Sequence, residues 1–334
     1  MPQPLMAAMD LVKHFPASGG AFAGGKKGGL VRAVDGVSFD IERGTTLGLV
    51  GESGCGKTTT GRMVMGLLQP TQGEVLLGGE LLPADRLRRA KSLQIIFQDP
   101  YSSLNPRMRV GTILSEVLSL HGLGADRSER KRRVGELLTM VGLSPVDAER
   151  FPHEFSGGQR QRIGVARALA PEPELIVADE PVSALDTSVQ AQIINLLSDL
   201  QKRLGVAFLF IAHDLSVVRY FADRVAVMYL GRIVEEADAA RLFDSPCHPY
   251  TKALLAAVPV PDPKREKKAQ LLPGEPPSPV APPSGCRFHP RCPVALPICS
   301  EVDPALYETG KDHRAACIRC DPKGAHLPAE RRMP

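Results

Sequence analysis

Gly51-Glu52-Ser53-Gly54-Cys55-Gly56-Lys57-Thr58 follows the short apolar run 46–50 and precedes a helical stretch read over 59–68. The octet matches G-x-x-x-x-G-K-[ST] in full, and its flanks are those the motif needs, a strand in and a helix out. Such a loop aims backbone N–H groups at a phosphate. Lys57 would reach the terminal phosphate oxygens, and the Thr58 hydroxyl would ligate Mg²⁺. The helix N-terminus behind the loop adds positive potential. Cys55 lies close to that N-terminus, so a lowered thiol pKa is expected, with alkylation blocked by bound nucleotide.

Outward from this loop, apolar runs end in polar residues. Residues 37–41 alternate like a half-buried strand, and 74–77 read as a strand before the Gly78-Gly79 turn. Residues 93–97 form another strand, ending at Gln98-Asp99-Pro100. The buried run Leu175-Ile176-Val177-Ala178 ends in Asp179-Glu180. Asp179 stands where a carboxylate holds Mg²⁺ after a phosphate loop, and Glu180 can act as general base on a water. Ser183–Asp186 form a turn, with Asp186 placed to cap a helix carrying Ile193, Leu196, Leu197, Leu200 and Leu204 and stopping at Gly205. Residues 206–211 are a continuous apolar strand before Ala212-His213-Asp214. Open α/β sheets bind ligands at such strand ends, which makes Gln98 and His213 candidates. Residues 225–230 and 232–235 read as a final hairpin.

Between these strands, residues 111–150 are helical. Ile113, Val117 and Leu120 share one face; Val134, Leu137, Leu138 and Val141 share another; a charged turn, 126–133, separates them. The chain then reaches Phe155-Ser156-Gly157-Gly158-Gln159-Arg160, where a hydroxyl, two backbones without Cβ and an amide precede a helix with Ile163, Ala166 and Leu169 on one side. Taken alone, this is either an ordinary turn or an anion site suited to phosphate.

Composition bounds the rest. At 334 residues with 43% hydrophobic content, the chain suits one large domain with an appendage, or two domains. A net charge of +4 gives no warrant for nucleic-acid binding. No apolar run approaches the roughly 20 residues of a membrane span, and the start lacks a signal peptide's order, so a cytoplasmic location is expected. Residues 18–30 hold six glycines in thirteen positions and read as a surface insertion. Residues 259–283 contain nine prolines and form a linker or arm. Five of the seven cysteines fall in the last 49 residues, which in a reducing compartment argues for a metal over disulfides.

Taken in order, the phosphate loop, Gln98, Ser156–Gln159, Asp179-Glu180, Ser183–Asp186 and His213 resemble the ATP-binding-cassette (ABC) ATPases over roughly residues 5–240. Phe155 stands where that family commonly has Leu and keeps an apolar anchor. The resemblance implies an α/β fold: a P-loop NTPase (RecA-like) core with a β-strand subdomain and a helical signature subdomain (about 101–165). A small Cys-rich C-terminal extension would follow. It implies domains at 1–240 and 241–334. ATP and Mg²⁺ would be bound by Gly51, Ser53, Gly54, Cys55, Gly56, Lys57, Thr58 and Thr59, with Gln98 and Asp179 completing the metal site. Glu180 would be the base, His213 would contact the γ-phosphate, and Phe15 would stack on adenine. Ser156, Gly157, Gly158, Gln159 and Asp186 would close over ATP held by another chain, so that the protein alone is a poor ATPase.

Residues 98–107, Gln98-Asp99-Pro100-Tyr101-Ser102-Ser103-Leu104-Asn105-Pro106-Arg107, and 247–252, Cys247-His248-Pro249-Tyr250-Thr251-Lys252, are similar to the oligopeptide/dipeptide/nickel importer branch. That implies a second ABC ATPase subunit, paralogous or identical, two transmembrane permease subunits and an extracytoplasmic solute-binding protein. The chain would be peripheral at the cytoplasmic face of the membrane. His248 reads as a loop residue before Pro249, not a metal ligand. Cys286, Cys292, Cys299 and Cys317 supply the four thiolates that a tetrahedral zinc or a four-iron cluster needs, at a spacing that names neither. The importer resemblance implies a [4Fe–4S] cluster, with zinc as the alternative. Cys320, His289 and His313 are reserve ligands. The competing functions are an importer of another solute such as nickel, and a soluble ABC protein acting in DNA repair or translation.

Overall fold

The computed structural model describes residues 3–17, 29–99, 104–258, 272, 274–322 and 324. Most of the glycine-rich insertion, Pro100 to Ser103, and most of the proline-rich arm lie outside these. The chain divides into two compact units.

The first unit comprises Met1–Met6, Ile41–Thr46 and Leu77–Ala212. Its sheet is parallel: Leu93–Ile96 pairs with Leu175–Asp179, which pairs with Ala207–Ala212. Residues 175–178 and 207–212 are buried throughout, which explains why they read as unbroken apolar runs instead of alternating ones. The register sets Ile96 beside Ala178 and Asp179 beside Ile211. The polar tips of the first two strands therefore emerge at one edge. Helices Val110–Leu120, Arg127–Met140, Gly157–Leu169 and Thr187–Leu204 belong to the same unit.

Two helical readings need correction. The expected charged turn at 126–133 is the first half of helix Arg127–Met140, because the Asp126 side chain caps it by accepting from the Glu129 N–H at 2.8 Å. In Val110–Leu120 the buried residues are Val110, Ile113, Leu114 and Leu118, while Leu120 is exposed. The i, i+4 spacing outweighs the i, i+7 match in setting the inward stripe.

The second unit comprises Ala7–Asp40, Leu47–Leu76 and His213–Pro334. In one sheet Met6–Pro16 lies between Leu30–Ile41 and Gln72–Leu77. In another, Thr46–Val50 runs parallel to Arg224–Tyr229, and the expected hairpin to Arg232–Asp238 is present with an irregularity between Ile233 and Glu235. The sheet then continues into the C-terminal segment. His313–Ala315 pairs antiparallel with Arg232–Asp238, and Tyr307–Gly310 pairs with His313–Ala315. The helix after the phosphate loop is Lys57–Val64, earlier and shorter than the 59–68 expected. Among the described residues no helix is long and apolar enough to cross a membrane.

Candidate functional site

Strand Thr46–Val50 delivers the chain into the phosphate loop with positive φ at Gly51 (154°) and Gly56 (111°). A Cβ would lie 2.1 Å from the Met228 carbonyl oxygen at Gly51, and 2.2 Å from that of Ala33 at Gly56. Both conformation and space therefore demand glycine. Lys57 is buried, and its Nζ donates to the carbonyls of Gly51 (2.7 Å) and Glu52 (3.0 Å). The lysine thus folds over the loop that its motif assigns it to serve. Ser53 and Gly54 are exposed, and Thr58 and Thr59 are half-buried at the helix start.

Cys55 departs from expectation. It is 4% exposed, and burial pushes its thiol pKa up despite the neighbouring Lys57 ammonium. Desolvation of a thiolate outweighs the helix terminus here, so the proposed easy alkylation is withdrawn.

In the other unit, the parallel register brings together residues 82 apart: Gln98 Nε2 donates to Glu180 Oε2 at 3.2 Å. Asp179 and Glu180 are both half-buried. Glu180 adopts a left-handed φ of 48°, fixed by its N–H donating to the Ile211 carbonyl (3.0 Å) and its carbonyl accepting from Ser183 Oγ (3.0 Å). Such a non-glycine conformation costs on the order of 1–3 kcal/mol and persists only where neighbours enforce it. Strand Ala207–Ala212 ends one residue before His213, which is exposed, and Asp214 caps the next helix by accepting from the Ser216 N–H.

Ser156 is the N-cap of helix Gly157–Leu169. Its hydroxyl accepts from the Gln159 N–H at 3.3 Å, and the Gln159 side-chain oxygen accepts from the Ser156 N–H at 3.0 Å, a reciprocal capping box. The two glycines are the first residues of the helix, and they differ. A Cβ on Gly157 would meet only Leu185 Cδ2 at 3.5 Å, whereas one on Gly158 would meet Val189 Cγ1 at 2.5 Å. Phe155 is buried, with the Arg150 guanidinium over its ring at 4.2 Å, so the apolar anchor holds. Asp186 occupies the N-cap position of Thr187–Leu204, but its side chain makes no cap hydrogen bond, contrary to the capping role expected. Phe15, the penultimate residue of strand Met6–Pro16, is half-buried, with Lys13 Nζ 5.5 Å from the ring centroid; it is not a core residue.

The tail cysteines converge. The thiols of Cys317, Cys299 and Cys292 lie near enough to Cys286 to act with burial in raising its pKa to about 12. Cys320 hydrogen-bonds to Cys317, which lowers the pKa of Cys317 and raises that of Cys320. The reserve histidines are engaged elsewhere. His289 Nδ1 lies 2.9 Å from the Cys286 carbonyl oxygen, and buried His313 pairs with fully buried Glu235 at 2.7 Å. Among the described residues the one cluster with ligand atoms within 4.8 Å of each other is Glu235, Cys247 and His313. Its carboxylate already accepts from His313 and from the N–H groups of Cys247 and His248. His248 is buried and N-caps helix Pro249–Ala257 by accepting from the Tyr250 N–H at 3.1 Å; burial pushes its pKa down to about 4. The reading of His248 as structural stands. Sequence reading did not single out Arg291, which reaches the phosphate loop; a lone arginine inside a cysteine segment carries no local signal.

A phosphate loop, an acidic strand tip backed by glutamine and a capped Ser-Gly-Gly-Gln helix start together define an ATP-binding-cassette ATPase. The ABC transporter family model matches residues 34–183, and the oligopeptide/dipeptide transporter C-terminal region matches residues 234–299. The chain belongs to the ABC transporter family, as relatives matched over nearly its whole length also show. It is 52% identical to the oligopeptide transport ATP-binding protein AppF of Bacillus subtilis (strain 168) over 94% of this chain and 96% of that protein. It is 50% identical to the oligopeptide transport ATP-binding protein OppF of Salmonella typhimurium over 95% of this chain and 97% of that one. Among solved structures, cbiO1 from Clostridium perfringens, part of the ABC transporter complex cbiONQ, is similar with a TM-score of 0.62 and 26% identity, covering 73% of this chain and 92% of its own. The dimeric ATP-binding cassette MJ0796 in a post-hydrolysis state bound to ADP and Pi matches with a TM-score of 0.60 and 27% identity, covering 70% of this chain and 98% of its own. The fold is that of a P-loop NTPase cassette, and its activity is ATP hydrolysis.

Proposed function

We propose that this chain is the ATP-hydrolysing subunit of an importer that takes up dipeptides and oligopeptides. It pairs with a second ABC ATPase subunit, identical or paralogous, and with two transmembrane permease subunits served by an extracytoplasmic solute-binding protein. The permeases hold it at the cytoplasmic face of the membrane. The observation that carries this reading is the joining in one chain of a cassette to an oligopeptide/dipeptide-type C-terminal region, with relatives named for oligopeptide transport about half identical throughout. The net charge and single cassette argue against a soluble role on nucleic acid.

In this reading, Lys57 leaves the carbonyls of Gly51 and Glu52 for the β- and γ-phosphate oxygens, and the loop N–H groups hold the β-phosphate. Thr58, Gln98 and Asp179 are the residues that would hold Mg²⁺, which when bound neutralises charge on the transferred phosphoryl group. Glu180 accepts a proton from the attacking water; its strained backbone and its hydrogen bond from Gln98 fix the direction of that carboxylate. His213 donates to the γ-phosphate, and Phe15 stacks on adenine. Ser156, Gly157, Gly158, Gln159 and Asp186 face ATP held by the partner subunit.

Cys286, Cys292, Cys299 and Cys317 would hold a [4Fe–4S] cluster. One observation supports the fit: the thiols of Cys292, Cys299 and Cys317 lie near enough to Cys286 to help raise its pKa, the proximity that a shared metal centre needs. When bound, the cluster supplies a covalent pin for an extension otherwise short of regular structure.

The test is uptake. The chain, reconstituted with its permeases and a second ATPase subunit, should drive ATP-dependent accumulation of labelled di- and oligopeptides. Accumulation of nickel but no peptide would overturn the peptide assignment.

A further inference from the structure

Arg287 and Arg291, spaced i, i+4, lie between two of the clustered cysteines, Cys286 and Cys292, and both reach back into the cassette. Arg291 is 6% exposed, and its guanidinium makes a two-pronged contact with the Glu52 carboxylate, at 2.8 and 3.1 Å. From the other side of the same residue, the Glu52 N–H donates to the Tyr250 hydroxyl at 2.9 Å. Glu52 is the second residue of the phosphate loop, and its carbonyl is one of the two that Lys57 occupies. Arg287 pairs with Asp35 and donates to the Leu230 carbonyl, and Asp35 also bonds His14 Nε2 at 2.9 Å, one residue before Phe15. Phe288, between the two arginines, packs against Tyr229 (5.3 Å between centroids) and Tyr250 (5.4 Å), and is buried.

A two-pronged charge-assisted contact fixes orientation as well as distance. Here it is made to a loop whose N–H groups must all point at one phosphate. We propose that segment 286–292 of the C-terminal extension is a positioning element of the nucleotide site: Arg291 and Tyr250 hold the phosphate loop through Glu52 in its binding conformation. Nucleotide affinity therefore depends on the extension. Because Cys286 and Cys292 bracket the arginines, whatever those cysteines bind sets the anchor, a corollary that rests on the cluster reading above.

The test is nucleotide affinity of the purified full chain, read by titration with a fluorescent ATP analogue, alongside KM and kcat in the reconstituted complex. Arg291→Ala should weaken binding roughly tenfold and raise KM for ATP with little change in kcat, because the loop is misplaced before chemistry. Arg291→Lys, which keeps the charge but loses the fork, should recover only part. Glu52→Gln leaves Arg291 packed and breaks only the ionic contact, so it reports even if Arg291→Ala does not fold. In the Glu52→Gln, Arg291→Ala double variant the losses should be strongly non-additive. Unchanged affinity in Glu52→Gln, or additive losses, overturns the proposal. Removing iron with a chelator should weaken binding by the wild type and not by Arg291→Ala. If iron is absent while the variants behave as stated, the cluster reading fails and the positioning role stands.

Discussion

The two glycines of the signature offer a separation that neither sequence nor fold provides alone. Gly157→Ala places a methyl at ordinary contact, 3.5 Å from Leu185 Cδ2, whereas Gly158→Ala drives one to 2.5 Å from Val189 Cγ1. Replacing a helical glycine by alanine gains up to about 1 kcal/mol, less in the first turn. Overpacking costs about 1–3 kcal/mol. Gly157→Ala should thus be neutral or slightly stabilising, and Gly158→Ala should lose roughly 0–3 kcal/mol, lowering Tm by no more than several degrees. Adding Val189→Ala removes the obstructing methyl and should return stability to within about 1 kcal/mol of wild type. If the glycines admit the phosphates of a partner-held ATP, turnover by the reconstituted complex stays low in all three variants, whatever their stability. The measurements are thermal unfolding of the chain and phosphate release by the complex. Turnover recovering with stability in the Gly158→Ala, Val189→Ala variant, and normal turnover in Gly157→Ala, would show that the glycines serve helix packing alone.

Glu180→Gln should keep ATP binding and lower turnover by about 10²–10⁴ as the proton acceptor is removed; near-normal phosphate release would reassign the base. His248 should make the fold acid-sensitive in a defined window. Its pKa is about 4 in the fold because burial disfavours the cation, against an ordinary 6.5. The unfolded chain binds the proton first, so stability falls as pH drops below about 6.5, by roughly 2 kcal/mol at about pH 5, and nothing is lost above that window. His248→Asn, which keeps an N-cap acceptor, should flatten this segment of a denaturant-midpoint-versus-pH curve; an unchanged slope means another group titrates. Anaerobically purified protein should be brown and carry iron with acid-labile sulfide, lost in Cys286→Ser; colourless protein with stoichiometric zinc would replace the cluster by zinc.

Much of the cassette was legible because its motifs are local backbone requirements. Gly51 and Gly56 sit where a Cβ would strike a carbonyl, and Ser156 and Gln159 close a hydrogen-bonded box four residues long. Apolar runs 175–178 and 207–212 could be read as buried parallel strands because both faces of such strands are covered. Misreadings arose where local pattern competes with an unseen partner. The charges of 127–133 look like a turn until Asp126 is seen capping a helix. The Cys55 thiol sits at a helix start that should acidify it, but the burial that reverses the sign comes from the surrounding fold.

From its sequence alone, this protein is identifiable as an ABC ATPase with a cysteine-bearing tail, since short-range geometry forces glycine, lysine, serine and aspartate into fixed intervals. Only the tertiary structure decided what the tail touches. Strand His313–Ala315 pairs with residues near Glu235, and Arg291 meets Glu52, 239 positions away. Such contacts leave no periodicity or spacing to read. They are chosen by which buried charges can be satisfied once the sheet is assembled, and that choice is made in space, not along the chain.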